Sequence, residues 1–215
     1  LGFTAPRGGI TVLDGPSGSG KSTVLGVLSG SVRDRPGVVG VTGRVTGIDA
    51  RKIAWMPQHP RAVESAVLDE LLTYAMGVPD GRDRARESLE MLALTQLADA
   101  NPNRLSPGEI RRLAFARVMM RVHAGAELAL LDEPTAHLDA RNAATVISAI
   151  AGFRGRVTVV IASHDAAVRA IADHSVALSS RQTPSLAAEA GQAVLDRART
   201  ARARASANCR SASLS

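Results

Sequence analysis

An α/β fold on a mostly parallel sheet is what this sequence predicts, and three observations predict it. The runs Ile10-Thr11-Val12-Leu13, Glu127-Leu128-Ala129-Leu130-Leu131 and Val157-Thr158-Val159-Val160-Ile161 are nearly continuous in apolar residues, as strands covered on both faces are. Each run stops abruptly at polar or turn-forming residues: Gly15, the pair Asp132-Glu133 before Pro134, and Ser163-His164-Asp165. Between the runs lie stretches whose apolar residues recur at helical spacing, so strand and helix alternate along the chain.

The first strand leads straight into Gly15-Pro16-Ser17-Gly18-Ser19-Gly20-Lys21-Ser22-Thr23, and Val24-Leu25-Gly26-Val27-Leu28 follows as a helix. Gly15, four residues, then Gly20-Lys21-Ser22 is the spacing of a phosphate-binding P-loop. Glycines let successive backbone N–H groups converge on an anion, and the helix N-terminus adds its dipole. Lys21 then reaches the β- and γ-phosphates of a nucleotide, and the Ser22 hydroxyl ligates Mg²⁺.

Two short extended stretches, residues 1–5 and 9–13, flank the turn-like Pro6-Arg7-Gly8 and read as a hairpin feeding this loop. The abrupt opening, without an initiating Met and with little sequence before the P-loop, suggests a piece of a longer polypeptide. Residues 38–45 and Ile53-Ala54-Trp55-Met56 have strand character, and Pro57-Gln58-His59-Pro60 stops the second of these. From residue 64 to 98 the texture is helical, with Val67-Leu68 and Leu71-Leu72 one turn apart and a second helix over 84–94. Ser106-Pro107-Gly108-Glu109 starts a helix to about Val122, marked by Ile110, Leu113, Ala114 and Val118. Residues 141–153 and a segment ending at 172 are helical, and a short strand over 175–178 completes the alternation.

The 215 residues, 45% of them apolar, suffice for one domain with a sizeable core, built on aliphatic residues because aromatics make up 2%. A single cysteine, Cys209, offers neither a disulfide partner nor a metal cluster. No apolar run approaches the roughly 20 residues of a membrane span, so the chain reads as soluble. The net charge of +6 owes much to Arg181, Arg197, Arg199, Arg202, Arg204 and Arg210, and elsewhere basic residues are interspersed with acidic ones, so no nucleic-acid partner is expected. Residues 181–215 are rich in Ala, Arg and Ser with too little apolar surface to offset their ordering entropy, and read as a disordered tail.

Asp132 ends a buried strand, where a carboxylate meets Mg²⁺ and its waters in a P-loop enzyme, and Glu133 next to it faces the γ-phosphate side. Glu133 polarises the attacking water there, as general base or as orienter. His164 ends another strand and is placed to hydrogen-bond the γ-phosphate, while Gln58 after a fourth strand reaches the metal or the water. Each of these has an ordinary structural alternative, a turn cap or a satisfied core histidine. The box at Ser106-Glu109 is likewise an ordinary helix cap as well as a possible anion site.

Together these residues resemble the nucleotide-binding domain of ATP-binding cassette (ABC) proteins over residues 1–180, with 181–215 outside it. The Walker A loop matches residues 15–23, the Q-loop Gln58, the signature Leu105-Ser106-Pro107-Gly108-Glu109, and the Walker B strand and catalytic glutamate residues 128–133. The D-loop matches Ala136-His137-Leu138-Asp139 and the switch histidine His164. The resemblance implies a P-loop NTPase of the ABC ATPase type: a mostly parallel core sheet, a small antiparallel β part and a helical subdomain over about 62–122. It implies binding of ATP with Mg²⁺, the metal held by Ser22, Gln58 and Asp132, and hydrolysis with Glu133 and His164 as catalytic residues. It also implies a head-to-tail homo- or heterodimer with a second nucleotide-binding domain, each ATP lying between one Walker A and the other signature, a transmembrane domain in the same full-length polypeptide, and a place for this chain at the cytoplasmic face of the membrane.

Two features depart from the family pattern. The signature usually reads LSGGQ; here Pro107 removes a backbone N–H and Glu109 brings a negative charge, although Ser106 keeps a hydroxyl proton for a phosphate and Glu109 can instead fold back on the Ser106 N–H. The adenine-stacking aromatic lies further upstream in the family, and Phe3 is too close to Gly15 to take that place. Residues 53–60 and 132–139 look most like the exporter half-transporters of cytochrome bd assembly, which carry thiol reductants such as cysteine and glutathione. A soluble ABC ATPase acting on nucleic acid or ribosomes is the alternative; the long coiled coils of chromosome-maintenance members have no counterpart between Lys21 and Ser106. A non-hydrolysing regulatory cassette is disfavoured by Glu133 and His164.

Overall fold

The computed structural model describes residues 2–32, 46–47 and 49–178. The strand expected over 38–45 and the tail beyond 180 lie outside the described residues.

Five parallel strands make one sheet in the order β2-β3-β4-β1-β5: β1 Ile10–Asp14, β2 Ile53–Met56, β3 Leu128–Asp132, β4 Thr158–Ala162 and β5 His174–Ala177. The apolar runs alternate between the two faces, as strand period two requires. Ile10, Val12, Ala129, Leu131, Val159 and Ile161 enter the larger core, while Leu13, Leu128, Leu130, Val160 and Ala162 enter a smaller one on the opposite face. Both faces are therefore dry, which is why the runs read as continuous.

Helix α1 (Lys21–Leu28) covers the smaller face through Leu25. The larger face is covered by α4 (Pro107–His123), α5 (Ala140–Ala151) and the short α6 (Ala166–Ala170), with Phe115 of α4 and Phe153 placing their ring centroids 6.1 Å apart. The helices α2 (Val67–Tyr74) and α3 (Gly81–Met91) pack on each other and on α4, which makes a helical part beside the sheet.

One tie between that part and the sheet is a buried ion pair. Glu70 is fully buried; its Oε1 accepts from Arg117 at 2.9 Å and its Oε2 from the backbone N–H groups of Val63 and Glu64 at 2.9 and 3.0 Å. Arg117 also donates to the Arg61 carbonyl at 2.6 Å and stacks over Tyr74. The segment after Gln58 is thus fixed from beneath by one carboxylate and one guanidinium.

The expected hairpin does not form: residues 2–6 carry no strand pairing. Both neighbours of β1 are already taken by β4 and β5, so no edge is left for it, and Phe3 and Ala5 instead pack beside the smaller core. Among the described residues the sheet is entirely parallel. The expected helix over 84–94 begins earlier, at Gly81 after Asp80 in a left-handed conformation (φ 53°), and α6 ends at Ala170 rather than 172.

Candidate nucleotide site

Strand register brings the candidate residues to one edge. Asp132 pairs with Ala162, and Ala162 with Leu13, so the carboxyl ends of β3, β4 and β1 lie level and side by side. One step beyond that line come Glu133, Ser163 and Asp14, and then the loop from Gly15.

Gly15, Pro16, Ser17, Gly18, Ser19 and Gly20 form the loop between β1 and α1, whose first residues are Lys21, Ser22 and Thr23. Gly15 has to be glycine, because a Cβ there would sit 2.4 Å from the Leu178 carbonyl oxygen and 2.9 Å from Ser19 Oγ. Asp14 seats the turn by accepting the Gly15 N–H at 2.8 Å, and its backbone carbonyl takes the Leu178 N–H at 2.7 Å. Gly20 caps α1 in a left-handed conformation, and no side chain caps the first turn, which leaves its N–H groups to an anion. Lys21 Nζ donates to the Gly15 and Pro16 carbonyls at 2.7 and 2.9 Å, so the ammonium lies against the loop it springs from.

Asp132 is 2% exposed and its Oδ1 is buried without a hydrogen-bond partner. Burial pushes its carboxyl above the usual range, the Glu133 charge adds to this, and hydrogen bonding from Ser22 with the charges of Arg111 and Lys21 pulls the other way. A buried carboxylate oxygen with an unmet bond next to a hydroxyl suits a hard cation with oxygen ligands. No group of three or more His, Cys, Asp or Glu able to hold a metal occurs among the described residues. Mg²⁺ fits that arrangement, since it is commonly bound by one or two carboxylates plus substrate phosphates. Gln58, two residues past β2, is exposed and free to add its amide.

Glu133 holds a left-handed backbone conformation (φ 48°) that non-glycine residues rarely take. Its N–H donates to the Ala162 carbonyl at 2.8 Å, which locks the turn to β4. Its Oε1 lies 2.9 Å from His164 Nδ1, and Ser163 Oγ donates to its Oε2 at 3.4 Å. The glutamate is 14% exposed and the histidine 79%, so an inner carboxylate is covered by an outer imidazole. Thr135 Oγ1 donates to Asp165 at 2.8 Å and fastens the next turn to the start of α6.

Ser106, Gly108 and Glu109 stand at the start of α4, and Ser106 and Glu109 bond to each other. Glu109 Oε2 accepts from the Ser106 N–H at 2.8 Å and from Ser106 Oγ at 2.7 Å, while the Glu109 N–H donates to Ser106 Oγ at 3.3 Å. Those Ser106 bonds hold the Glu109 carboxyl below its usual range. The carboxylate folds back, as one expectation had it. In this arrangement the Ser106 hydroxyl proton is engaged by Glu109. A Cβ at Gly108 would lie 3.0 Å from the His137 carbonyl oxygen, so the two segments approach closely here. Asp139 caps α5, accepting from the Asn142 N–H at 2.9 Å and Nδ2 at 2.6 Å.

Arg111, Ser163 and Thr135 were not singled out in the sequence. Arg111 had a signal: it lies three, four and seven residues before Ala114, Phe115 and Val118, on a buried stripe of α4. A charged residue on such a stripe has to find buried acceptors.

A protein-family model described as ABC transporter matches residues 1–136. The hemin import ATP-binding protein HmuV of Bradyrhizobium diazoefficiens is 34% identical over 196 residues, covering 83% of this chain and 72% of that protein. The macrolide export ATP-binding/permease protein MacB of Rhodopseudomonas palustris is 32% identical over 194 residues, which is 83% of this chain and 29% of MacB. Among solved structures, the dimeric bacterial ABC transporter cassette MJ0796 superposes with a TM-score of 0.68 at 26% identity, covering 82% of this chain and 84% of that one. The same cassette has been solved as a dimer in a post-hydrolysis state bound to ADP and Pi, again with a TM-score of 0.68. With the P-loop, the Asp132-Glu133 strand end and His164 at one edge of a parallel sheet, the chain belongs to the ABC transporter family as an ATP-hydrolysing, ATP-binding domain.

Proposed function

We propose that this domain hydrolyses Mg-ATP on Gly15–Thr23 and powers the movement of a solute across a membrane, through residues 1–180. The observation that carries the reading is Glu133, inner and hydrogen-bonded to His164, level with the P-loop across β3, β4 and β1.

Gly15, Pro16, Ser17, Gly18, Ser19 and Gly20 wrap the phosphates with backbone N–H groups, and Lys21 turns its ammonium from the loop carbonyls to the β- and γ-oxygens. Ser22, Asp132 and Gln58 would hold Mg²⁺, which when bound would neutralise phosphate charge. Glu133 orients a water and accepts its proton while the water oxygen bonds to the γ-phosphorus and the bond to the ADP oxygen breaks, leaving ADP and phosphate. His164 keeps the Glu133 carboxylate in place through Nδ1. A ring that donates from Nδ1 can also donate to the γ-phosphate from Nε2 only as the imidazolium.

A second ABC nucleotide-binding domain supplies the opposite signature, in a head-to-tail dimer. Ser106, Gly108 and Glu109 complete the partner's site, with Asp139 at the seam. A transmembrane domain places the assembly at the cytoplasmic face of the membrane; among the described residues no helix is long and apolar enough to cross it. The relatives carry import as well as export names, and the export of thiol reductants such as cysteine or glutathione rests on the resemblance of residues 53–60 and 132–139. ATP-driven uptake of labelled cysteine or glutathione into inside-out vesicles, lost in Lys21→Ala, tests this. Vesicles that hydrolyse ATP without concentrating either thiol would contradict the substrate.

A further inference from the structure

We infer that Arg111 is a positioning residue that ties the Glu133 turn and the Gln58 loop to the helix beginning at Ser106. Arg111 is 4% exposed, and its guanidinium forks three ways. Nη1 donates to the Glu133 carbonyl at 2.8 Å and the Asp132 carbonyl at 3.3 Å, and Nη2 donates to the Gln58 carbonyl at 2.8 Å. These are the carbonyls of the three residues whose side chains face the water and the metal in the reading above, on which this inference rests.

The arrangement has a definite mechanical sense. Glu133 sits in a left-handed conformation that its side chain disfavours, so something has to hold it there. Its N–H is held by Ala162 of β4, and its carbonyl by Arg111 and by the Ala136 N–H at 3.2 Å. Without the guanidinium, the carbonyls of Asp132 and Gln58 lose a charged donor inside the protein, and the Glu133 turn is free to relax toward ordinary backbone angles. The carboxylate would then swing off the line to His164.

Arg111 also belongs to α4, whose first turn is Pro107-Gly108-Glu109. Arg111, which sets the geometry of this chain's own site, therefore stands five positions after Ser106, which completes the partner's site. A planar fork reaches three carbonyls on two loops at once, whereas a lysine offers a point charge. Arg111 acts through backbone carbonyls and touches no reacting atom, so its loss affects turnover before it affects binding.

The test uses the assembled protein with Arg111→Gln and Arg111→Lys, and Glu133→Gln alongside. In Arg111→Gln the expected result is kcat lowered about tenfold or more, because small misplacements of a reacting group are costly. Bound-nucleotide stoichiometry and KM for ATP should stay within about twofold. Arg111→Lys should regain part of the loss. Amide exchange should speed up at residues 58–60 and 133–137 and stay unchanged in β1 and α5, which a general loss of stability would not produce. Wild-type kcat in Arg111→Gln overturns the inference, as does a loss that tracks exchange across the whole domain. Turnover surviving Glu133→Gln overturns the reading of Glu133 and this inference with it. Turnover lost there but kept in Arg111→Gln overturns this inference alone.

Discussion

Glu109 Oε2 accepts both the backbone N–H and the hydroxyl of Ser106, at 2.8 and 2.7 Å. The bond to the N–H closes a capping box that satisfies an orphan donor at the start of α4. The bond to the hydroxyl competes for the proton that, in the proposed dimer, Ser106 would offer to the partner's ATP. Pro107 has already removed one N–H from the same turn, so this helix start has fewer donors for a phosphate than its length suggests.

Turnover at the partner's site should therefore rise in Pro107→Gly with Glu109→Gln, because a neutral amide binds the hydroxyl less tightly and glycine restores an N–H. Single-site turnover, with either catalytic glutamate removed in turn, measures it. Equal rates at the two sites before the change would show that the Ser106–Glu109 bond has no kinetic effect. Ser106→Ala should cost about 1 kcal/mol of stability, the usual value of an N-cap, and can be followed by urea denaturation.

Asp132→Asn should stabilise the nucleotide-free protein while weakening its response to Mg-ATP. Its folded pKa is raised, chiefly by burial, so the folded state binds protons more readily than the unfolded one. The cost of the buried charge is then fully present above the folded pKa and fades as pH falls through it toward the unfolded value. Removing the charge should yield about 1 kcal/mol at neutral pH, a rise of roughly 2–4 °C in Tm for a domain of this size. The gain should vanish in acid. A lower Tm in Asp132→Asn at neutral pH would show that the carboxylate is satisfied as it stands.

Glu70→Ala should cost about 3–5 kcal/mol, because it leaves Arg117 inside without its partner. Replacing both by apolar residues, Glu70→Leu with Arg117→Met, should recover much of this, apart from the Val63 and Glu64 N–H groups that lose their acceptor. Denaturant midpoints of the single and double variants decide it; a single variant within about 0.5 kcal/mol of the parent would mean that the pair contributes little.

Much of this edge could be read from residue order, because periodicity and spacing are local. Ile10-Thr11-Val12-Leu13 reads as a strand since both sheet faces are covered, and the P-loop declares its own turn at Gly15. The hairpin at residues 1–5 failed because pairing is not local: β5, some 160 residues later, takes the edge of β1 that the hairpin needed. Arg111 escaped for the same reason, since its acceptors come from two other segments of chain. For Glu109 the sequence allows two orientations, and a short-range bond to the Ser106 N–H selects the folded-back one.

The role of Glu133 is tested most directly by comparing ATP binding and phosphate release in Glu133→Gln and Lys21→Ala, in the assembled protein with the partner's catalytic glutamate removed throughout. Glu133→Gln should keep ATP bound at near-parental affinity and lower phosphate release by about 100-fold or more, the usual contribution of a residue acting on the proton in flight. Lys21→Ala should lower affinity itself, because the ammonium contacts phosphates already in the ground state. Phosphate release in Glu133→Gln at a rate close to the parent's would contradict the assignment of the attacking water to Glu133.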